Sequence, residues 1–218
     1  MSGVSLVIGS TGLIGKKLIF ELAKKDSEVI AISRRSISNL PENVTLLNLN
    51  FDDFLDNGCV PSCDHIYICL GTTIKKAGSQ SEFKKVDFDY SVSFARKARE
   101  AGATKISLVS SVGANPYAKN FYLKTKGEVE EEIKKIDFQS INILRPSLLL
   151  GSREESRFLE KIGQNLSSFI NPLLVGSLRK YRGIKSSNIA YFMANYENSG
   201  GIKYFYFDDF NKNFERES

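Results

Sequence analysis

A glycine-rich turn directly after the first apolar run constrains the fold of this chain more than any other feature. The run Val4 to Ile8 is followed at once by Gly9-Ser10-Thr11-Gly12-Leu13-Ile14-Gly15. This G-x-x-G-x-x-G spacing predicts a buried strand, a tight turn and a helix. Gly9 permits the turn, Gly12 lets a pyrophosphate approach the backbone, and Gly15 lets the helix pack on its strand. Because the free N–H groups at the helix start favour an anion, residues 9–15 are predicted to bind a nucleotide cofactor. A glycine-rich turn without a ligand is the alternative.

Strands and amphipathic helices alternate along the rest of the chain. Strands are predicted at 4–8, 29–32, 44–49, 65–70, 105–109, 140–144 and 204–207, and helices at about 13–25, 88–101, 120–135, 154–167 and 188–195. Apolar strands separated by helices are typical of a parallel sheet covered on both faces. We therefore predict one α/β domain over 1–218, a Rossmann-type doubly wound and mostly parallel sheet. Within it, the less regular residues 147–202 are expected to contribute a small C-terminal substrate cap.

Composition and charge exclude several classes of protein. The 218 residues are 42% apolar and 25% charged, as in an ordinary globular protein. No apolar run is long enough to cross a bilayer, and the first apolar run belongs to a strand rather than to a signal peptide, so we expect a cytoplasmic protein without a membrane partner. The net charge of +5 is spread over many lysines with acidic neighbours. This pattern favours a solvated surface over nucleic-acid binding.

The cysteines and the single histidine suggest a zinc site that the predicted strand argues against. Cys59, Cys63, His65 and Cys69 have the spacing C-x3-C-x-H-x3-C. An extended strand over 65–70 would separate His65 from Cys69 by about 13 Å, which is too far for one metal ion. We therefore predict no metal site, and the odd number of cysteines fits a reducing compartment.

The end of the second predicted strand bears on the choice of cofactor. An NAD-binding unit usually has Asp or Glu there, which binds the ribose hydroxyls, whereas this strand ends in Ser33-Arg34-Arg35. A guanidinium group matches a ribose phosphate, so Arg34 and Arg35 favour NADP(H) over NAD(H). NAD(H) stays open, as does the alternative that both arginines are ordinary surface residues.

A tyrosine and a lysine on one helix predict the chemistry. Ser110-Ser111 ends the fifth strand, and Tyr122-Leu123-Lys124-Thr125-Lys126 follows on a predicted helix. Residues four apart share a helix face, and a cation near a phenol favours the phenolate. Tyr122 is therefore a candidate general acid or base, Ser111 a candidate hydrogen-bond donor to the reacting oxygen, and Lys126 a ligand of the nicotinamide ribose. Tyr181 to Lys185 repeats the spacing, but no strand and no serine pair precede it.

These residues resemble the short-chain dehydrogenase/reductase superfamily, and in particular its atypical, Tat-interacting-protein-like branch. The resemblance covers most of residues 1–160 and lies in 9–15, 69–73 with 76–78, 86–90, 110–114, 122–128, 145–147 and 153–157. It implies an NADP(H)-binding Rossmann fold with a Ser–Tyr–Lys catalytic group. The serine of that group corresponds to Ser111, and Ser110 is the less favoured candidate.

Further cofactor contacts are implied by the same resemblance. Asn50-Phe51 stands where the superfamily usually has an Asp that binds the adenine, and Leu70-Gly71-Thr72-Thr73 replaces an Asn-rich turn that borders the cofactor ribose. The segment that contains Pro146 and Leu148 should pass beside the nicotinamide, with Ser110 nearby. Arg153 and Arg157 are candidates for an acidic substrate group, although pairing with Glu154 and Glu155 at a helix start is the favoured alternative.

Three functions remain open at this point. The first is an NADP(H)-dependent oxidoreductase that transfers hydride to or from a small carbonyl or alcohol substrate, with Tyr122 as general acid or base. The second is a regulatory or sensor protein that binds NADP(H) without turnover. The third is an epimerase or dehydratase that uses the cofactor transiently, for which the C-terminal segment is short. A homodimer through the helices near 88–101 and 120–135 also stays open.

Overall fold

The computed structural model describes residues 3–25, 27–150 and 174–212. Its strands are β1 (Ser5–Ile8), β2 (Val29–Ser33), β3 (Val44–Asn48), β4 (His65–Ile68), β5 (Lys105–Val109), β6 (Ser140–Leu144), β7 (Leu149–Leu150), β8 (Ile184–Lys185) and β9 (Gly201–Phe205). Its α-helices are α1 (Gly15–Ala23), α2 (Phe51–Asn57), α3 (Ile74–Ala77), α4 (Gln80–Lys84), α5 (Tyr90–Glu100), α6 (Phe121–Lys134), α7 (Ser186–Asn195) and α8 (Phe207–Lys212). A π-helical segment (Lys85–Asp89) joins α4 to α5, and a 3₁₀ helix spans Gly176–Tyr181.

Seven strands form one sheet in the order β3-β2-β1-β4-β5-β6-β9, and every neighbouring pair is parallel. The chain progresses outward from β1 in both directions, so the strand order reverses between β1 and β4. In an open α/β sheet, ligands bind beyond the carboxyl ends of the strands at such a reversal. The predicted Rossmann-type fold is therefore confirmed, and β1 and β4 define the place where a dinucleotide would bind.

Helices cover both faces of this sheet. One face packs against α2, α5 and α6 around fully buried side chains such as Phe94 and Ile133. The other face packs against α1, α7 and α8 around Leu18, Ile189 and Phe210. β1 and β2 are buried along their whole length, which explains why their sequences are continuous apolar runs rather than alternating ones.

The C-terminal part differs from the sequence-based expectation. Residues 188–195 were expected in the cap that we predicted over 147–202. Instead they lie in α7, which packs against α1 on one face of the main sheet. The late strand expected at 204–207 is β9 at Gly201–Phe205 and extends the main sheet beside β6. Residues 151–173 lie outside the described residues, and the expected helix at 154–167 falls there. The division into one domain with a cap stays a prediction for that segment.

Candidate active site at the carboxyl ends of β1, β4 and β5

The turn after β1 has the backbone geometry that its glycines require. Gly9 has a φ of +83°, which L side chains rarely adopt, and a Cβ there would lie 2.6 Å from the carbonyl group of Cys69 at the end of β4. A Cβ on Gly15 would lie 2.3 Å from the carbonyl oxygen of Gly9. The turn thus packs closely against the end of β4 and the start of α1. A side chain at Gly9 or Gly15 would push these elements away from the turn.

Within the described part of the chain, no side chain accepts a capping hydrogen bond from the backbone N–H groups at the start of α1. Ile14, the residue just before the helix, provides no side-chain cap, and no acidic residue lies in the first turn. Ser10 is fully buried and donates its hydroxyl to the carbonyl of Ile32 at 2.8 Å, which fixes the turn to the end of β2. Gly12 closes the turn by donating to the carbonyl of Gly9 at 2.9 Å. This glycine cradle and its uncapped helix start fit the diphosphate of a dinucleotide. The other residues predicted to bind cofactor here, Thr11 and Leu13, are exposed and half-buried.

The two arginines after β2 lie at the surface beside the end of β3. Arg34 places its guanidinium 5.5 Å from the ring centroid of Phe51. The backbone N–H of Arg35 donates to the hydroxyl of Ser33 at 3.0 Å. Both side chains are exposed and so available to a ligand. Their predicted role toward NADP(H) stays a prediction.

Asn50 and Phe51 are largely committed to the fold. Asn50 caps α2, because its side chain accepts the N–H of Asp52 at 3.0 Å. Phe51 is 3% exposed and packs edge-on against Tyr90 and Phe94 at centroid distances of 5.3 and 5.0 Å. Because the Phe51 ring lies in the core, little of it is accessible for the predicted contact with adenine.

The turn after β4 is tied to a buried carboxylate. The N–H of Thr72 donates to Oδ2 of Asp87 at 3.0 Å. Thr73 caps α3 by accepting the N–H of Lys76 at 3.1 Å, so its hydroxyl is partly used. Leu70 is half-buried and Gly71 is exposed. Of the four residues predicted here, Gly71 and the Thr72 side chain are thus the freest to border a cofactor.

Lys126 is buried and paired with Asp87. Its Nζ lies 2.7 Å from Oδ1 of Asp87, and the two side chains are 6% and 0% exposed. Burial alone would lower the pKa of Lys126, but the interactions with Asp87, Tyr122 and Glu130 raise this pKa above its usual value. The ammonium therefore stays protonated in a dry environment.

The two serines after β5 have different environments. Ser110 is 4% exposed and donates its hydroxyl to Glu130, a buried carboxylate on α6. Ser111 is half-buried, and its hydroxyl makes only a long 3.4 Å contact to the carbonyl of Val112. Ser111 is thus the serine with a hydroxyl available to a substrate, and its catalytic role stays a prediction.

Tyr122 lies in the first turn of α6, next to the loop that contains Ser111. The N–H of Asn115 in that loop donates to the carbonyl of Leu123 at 3.1 Å. The Tyr122 ring is half-buried and packs 5.6 Å from the ring of Phe83. The helix begins where the side chain of Asn120 accepts the N–H of Leu123 at 3.1 Å. Tyr122 and Lys126 therefore share one face of a capped helix, as predicted.

The competing Tyr181–Lys185 pair does not share a helix face. Tyr181 ends the 3₁₀ helix, is 45% exposed, and is followed by an extended Arg182, whereas Lys185 lies in β8. The structure therefore separates the two matches to the same spacing.

The segment after β6 approaches the loop that contains Ser111. Pro146 is buried, and its carbonyl accepts the N–H of Val112 at 2.8 Å. Leu148 is 58% exposed, which leaves an apolar side chain free at this edge. Arg153 and Arg157, predicted to bind substrate, lie outside the described residues.

Two buried ionic contacts were missing from the sequence-based site. Asp87 lies within the motif 86–90, and Glu130 lies outside all of the motifs that predicted the site. The Arg145 guanidinium binds Glu130 with two donors, and Arg145 also donates to the hydroxyl of Tyr206 at 3.1 Å. Burial alone would lower the pKa of Arg145, but the bonds to Glu130 raise it. The available signal was the four-residue spacing of Tyr122, Lys126 and Glu130, which places all three on one face of α6.

The described residues contain no group of three or more His, Cys, Asp or Glu side chains that could hold a metal ion. Cys59, Cys63 and Cys69 are free thiols. Nε2 of His65 lies 2.9 Å from the hydroxyl of Ser107, within the sheet. We give these four residues no chemical role.

Comparison with known proteins identifies the family. A profile of the NAD dependent epimerase/dehydratase family matches residues 5–197. The chain belongs to this family. It is 34% identical over 173 residues to the mitochondrial protein FMP52 of Candida albicans, covering 76% of each chain. It is also 35% identical over 157 residues to protein HTATIP2 of Rattus norvegicus, covering 69% of this chain and 64% of that one. The resemblance to the atypical, Tat-interacting-protein-like branch is thereby confirmed.

Solved structures of related fold bind nicotinamide dinucleotides. MoeE5 in complex with UDP-glucose and NAD has a TM-score of 0.67 at 16% identity and covers 94% of this chain and 76% of its own. Human epimerase family protein SDR39U1 with NADPH has a TM-score of 0.62 at 18% identity, with coverages of 93% and 74%. These likenesses show the fold. The family match, by its description, associates this chain with a nicotinamide dinucleotide coenzyme.

The predicted location is wrong. We expected a cytoplasmic protein, but several relatives at 33–35% identity are named as mitochondrial proteins. Among the described residues, no helix has both the length and the apolar character needed to span a membrane.

Proposed function

We propose that this protein is an NADP(H)-dependent oxidoreductase that transfers hydride to or from the carbon of a carbonyl or alcohol substrate. The observation that carries the proposal is the arrangement on α6, where Tyr122 and a buried, protonated Lys126 share one helix face beside the loop of Ser111. A bound NADP(H) would supply or accept the hydride. The glycine cradle at 9–15 would hold its diphosphate.

The proton is handled by this chain's own side chains. Tyr122 donates its phenolic proton to the substrate oxygen during reduction and takes a proton from the hydroxyl during oxidation. The Lys126 ammonium shares the helix face of Tyr122, from which it would hold the coenzyme ribose. The free hydroxyl of Ser111 holds the substrate oxygen by a hydrogen bond, since it has no strong partner of its own.

The preference for NADP(H) over NAD(H) is part of the proposal. Arg34 and Arg35 are exposed where strand β2 ends, at the position where an NAD-binding unit usually has Asp or Glu. Stacking of Arg34 against Phe51 keeps the guanidinium near the surface, where it can pair with a ribose phosphate. The structural neighbour MoeE5 was solved with NAD, so both coenzymes belong in the experiment.

The test is a carbonyl panel with a matched pair of tyrosine variants. Wild-type protein and Tyr122→Phe are incubated with NADPH or NADH and a range of aldehydes and ketones, and the nicotinamide absorbance is followed. We expect Tyr122→Phe to reduce kcat by at least about a hundredfold, the usual contribution of general acid catalysis. Tyr181→Phe, in the second sequence with the same spacing, should leave kcat unchanged. Equal loss in both variants, or none in Tyr122→Phe, would contradict the assignment.

A second candidate is an epimerase or dehydratase in which the coenzyme is oxidised and reduced within one cycle. The family match and the complex of MoeE5 with UDP-glucose and NAD favour it. The neighbour's own chain extends beyond the matched part, since 76% of it is covered. Turnover of a sugar nucleotide without net change in nicotinamide absorbance would support this candidate. NADP(H) binding without any turnover would instead support a regulatory role.

A further inference from the structure

The helix that leads from α4 to α5 contains a π-helical segment, Lys85–Asp89, with Asp87 at its centre. π-Helical segments contain well under about 1% of the residues in proteins. They often lie at functional sites, because the wider turn redirects a side chain. Here the segment directs Asp87 into the interior, where its side chain is 0% exposed. The two other acidic residues of α4 and the π-helical segment, Glu82 and Asp89, are exposed. The π-helical segment therefore singles out one carboxylate.

The two oxygens of Asp87 connect two parts of the candidate site. Oδ2 accepts the N–H of Thr72 in the turn after β4 at 3.0 Å. Oδ1 lies 2.7 Å from Nζ of Lys126 on α6. Among the described residues, Oδ1 is the buried side-chain oxygen that lacks a well-aligned hydrogen-bond donor, so the ammonium charge is its compensation. An apolar pair would pack there at lower desolvation cost, which makes stability a poor explanation of this contact.

We propose that Asp87 is a positioning residue that holds the Lys126 ammonium and the Thr72 turn together in the arrangement that binds the coenzyme ribose. This inference rests on the proposed function and on the sequence-based prediction that both elements border that ribose. Burial alone would favour a neutral lysine, and Asp87 offsets it with the nearest opposite charge. Tyr122 and Glu130 face the same ammonium from α6 itself. Asp87 is the charge that reaches Lys126 from another element.

A double-mutant cycle on coenzyme affinity tests the inference. The variants are Asp87→Asn, Lys126→Met and the double variant, and the dissociation constant of NADPH is measured from its fluorescence. The Asn side chain still offers an oxygen to the N–H of Thr72, so this variant removes chiefly the charge. We expect each single variant to bind NADPH at least about tenfold more weakly, and the double variant to bind no more weakly than Lys126→Met. Additive losses would overturn the inference.

Two controls separate positioning from simple destabilisation. Asp89→Asn removes an exposed carboxylate of the same π-helical segment and should leave NADPH affinity unchanged. Ile133→Ala creates a cavity on α6 away from the charges, and should lower the melting temperature without weakening NADPH binding. If Ile133→Ala weakens NADPH binding as much as Asp87→Asn does, the effect is structural and the inference is wrong.

A spectroscopic readout requires neither substrate nor coenzyme. In ¹⁵N-labelled protein, the buried and paired ammonium of Lys126 should give a slowly exchanging Nζ signal that is absent in Lys126→Met. Asp87→Asn should shift this signal or broaden it beyond detection, and an unchanged signal would overturn the inference. If Asp87→Asn does not fold, the double variant lacks the uncompensated charge and its NADPH affinity is compared with that of Lys126→Met. A weaker double variant would then contradict action through Lys126, and equal affinities would support it.

The outcomes distinguish this inference from the proposed function. Wild-type protein that binds NADPH and shows coupling, but reduces no carbonyl, would contradict the reaction and support the role of Asp87. Loss of turnover in Tyr122→Phe together with additive effects in the cycle would support the reaction and contradict the role of Asp87. A wild-type chain that binds neither coenzyme would overturn both.

Discussion

Acidification from pH 7 to pH 5 should destabilise this fold through one side chain, His65. The chain has a single histidine, and no other side-chain type has its ordinary pKa in this interval. The His65 ring stacks on Tyr67 at a centroid distance of 3.9 Å, and its Nε2 lies 2.9 Å from the hydroxyl of Ser107. Burial, with a smaller effect from the Lys105 charge, lowers the pKa of His65 to about 3.

The sign and size of the effect follow from this pKa. Between about pH 3 and pH 6.5 the unfolded chain binds a proton that the folded chain does not, so folding stability rises with pH across that range. The stability due to neutral His65 is therefore present above pH 6.5 and is lost as the pH falls. Linkage gives a loss of at most about 2 kcal/mol in the free energy of unfolding from pH 7 to pH 5. It is an upper value because His65 is partly exposed.

Urea unfolding at pH 7, 6 and 5 measures this loss. The chain has no tryptophan, so far-UV circular dichroism is the suitable signal. With an m-value of about 2 kcal/mol/M, the wild-type midpoint should fall by roughly 1 M. His65→Gln keeps an amide near Ser107 but does not titrate, and its midpoint should stay nearly constant. Equal losses in the two proteins would show that other groups cause the destabilisation and would refute the reasoning.

Two further predictions concern the coenzyme. A Cβ on Gly12 would lie 3.1 Å from the carbonyl oxygen of Gly9, whereas one on Gly15 would lie 2.3 Å from it. Gly12→Ala should therefore weaken NADPH binding at least about tenfold with a melting temperature lowered by less than about 4 °C, while Gly15→Ala should cost about 2 kcal/mol or more. Thermal unfolding and NADPH titration check both, and wild-type affinity in Gly12→Ala would contradict the cradle. Arg34→Ala should weaken NADPH binding about tenfold to a hundredfold without changing NADH binding, because a charged hydrogen bond contributes about 1.5–3 kcal/mol. Arg96→Ala is the control on α5, and a parallel loss for NADH would contradict the role of Arg34.

The parts of the fold that the sequence predicted are those set by local pattern. Strands β5 and β6 have the predicted bounds, because three of the five residues in each are Ile, Leu or Val and the strands are buried almost throughout. The glycine turn was predictable because a φ of +83° at Gly9 and a tight contact at Gly15 exclude other residues. Short helices such as α2 and α4 were missed, since seven and five residues are too few for a periodic signal.

The serine pair shows where local pattern stops being sufficient. Ser110 and Ser111 are adjacent, and successive side chains of an extended segment point to opposite sides. One of them had to be buried, but its partner Glu130 is on another element. Only the folded chain shows that Ser110 gives its hydroxyl to Glu130 and leaves Ser111 free.

Helix α6 shows the same limit of local pattern for its charged residues. A reader of the sequence assigns lysines and glutamates of a helix to the solvent face, yet Lys126 and Glu130 are 5% and 1% exposed. Lys126 binds Asp87 of the π-helical segment, and Glu130 binds Arg145 at the end of β6. Burying two ion pairs costs desolvation energy that apolar residues would avoid, so the pairs are better explained by what they fix than by stability. They hold the face of α6 that carries Tyr122 against two separate elements, and the general acid that we propose there needs this constraint because its proton must be delivered within hydrogen-bond distance.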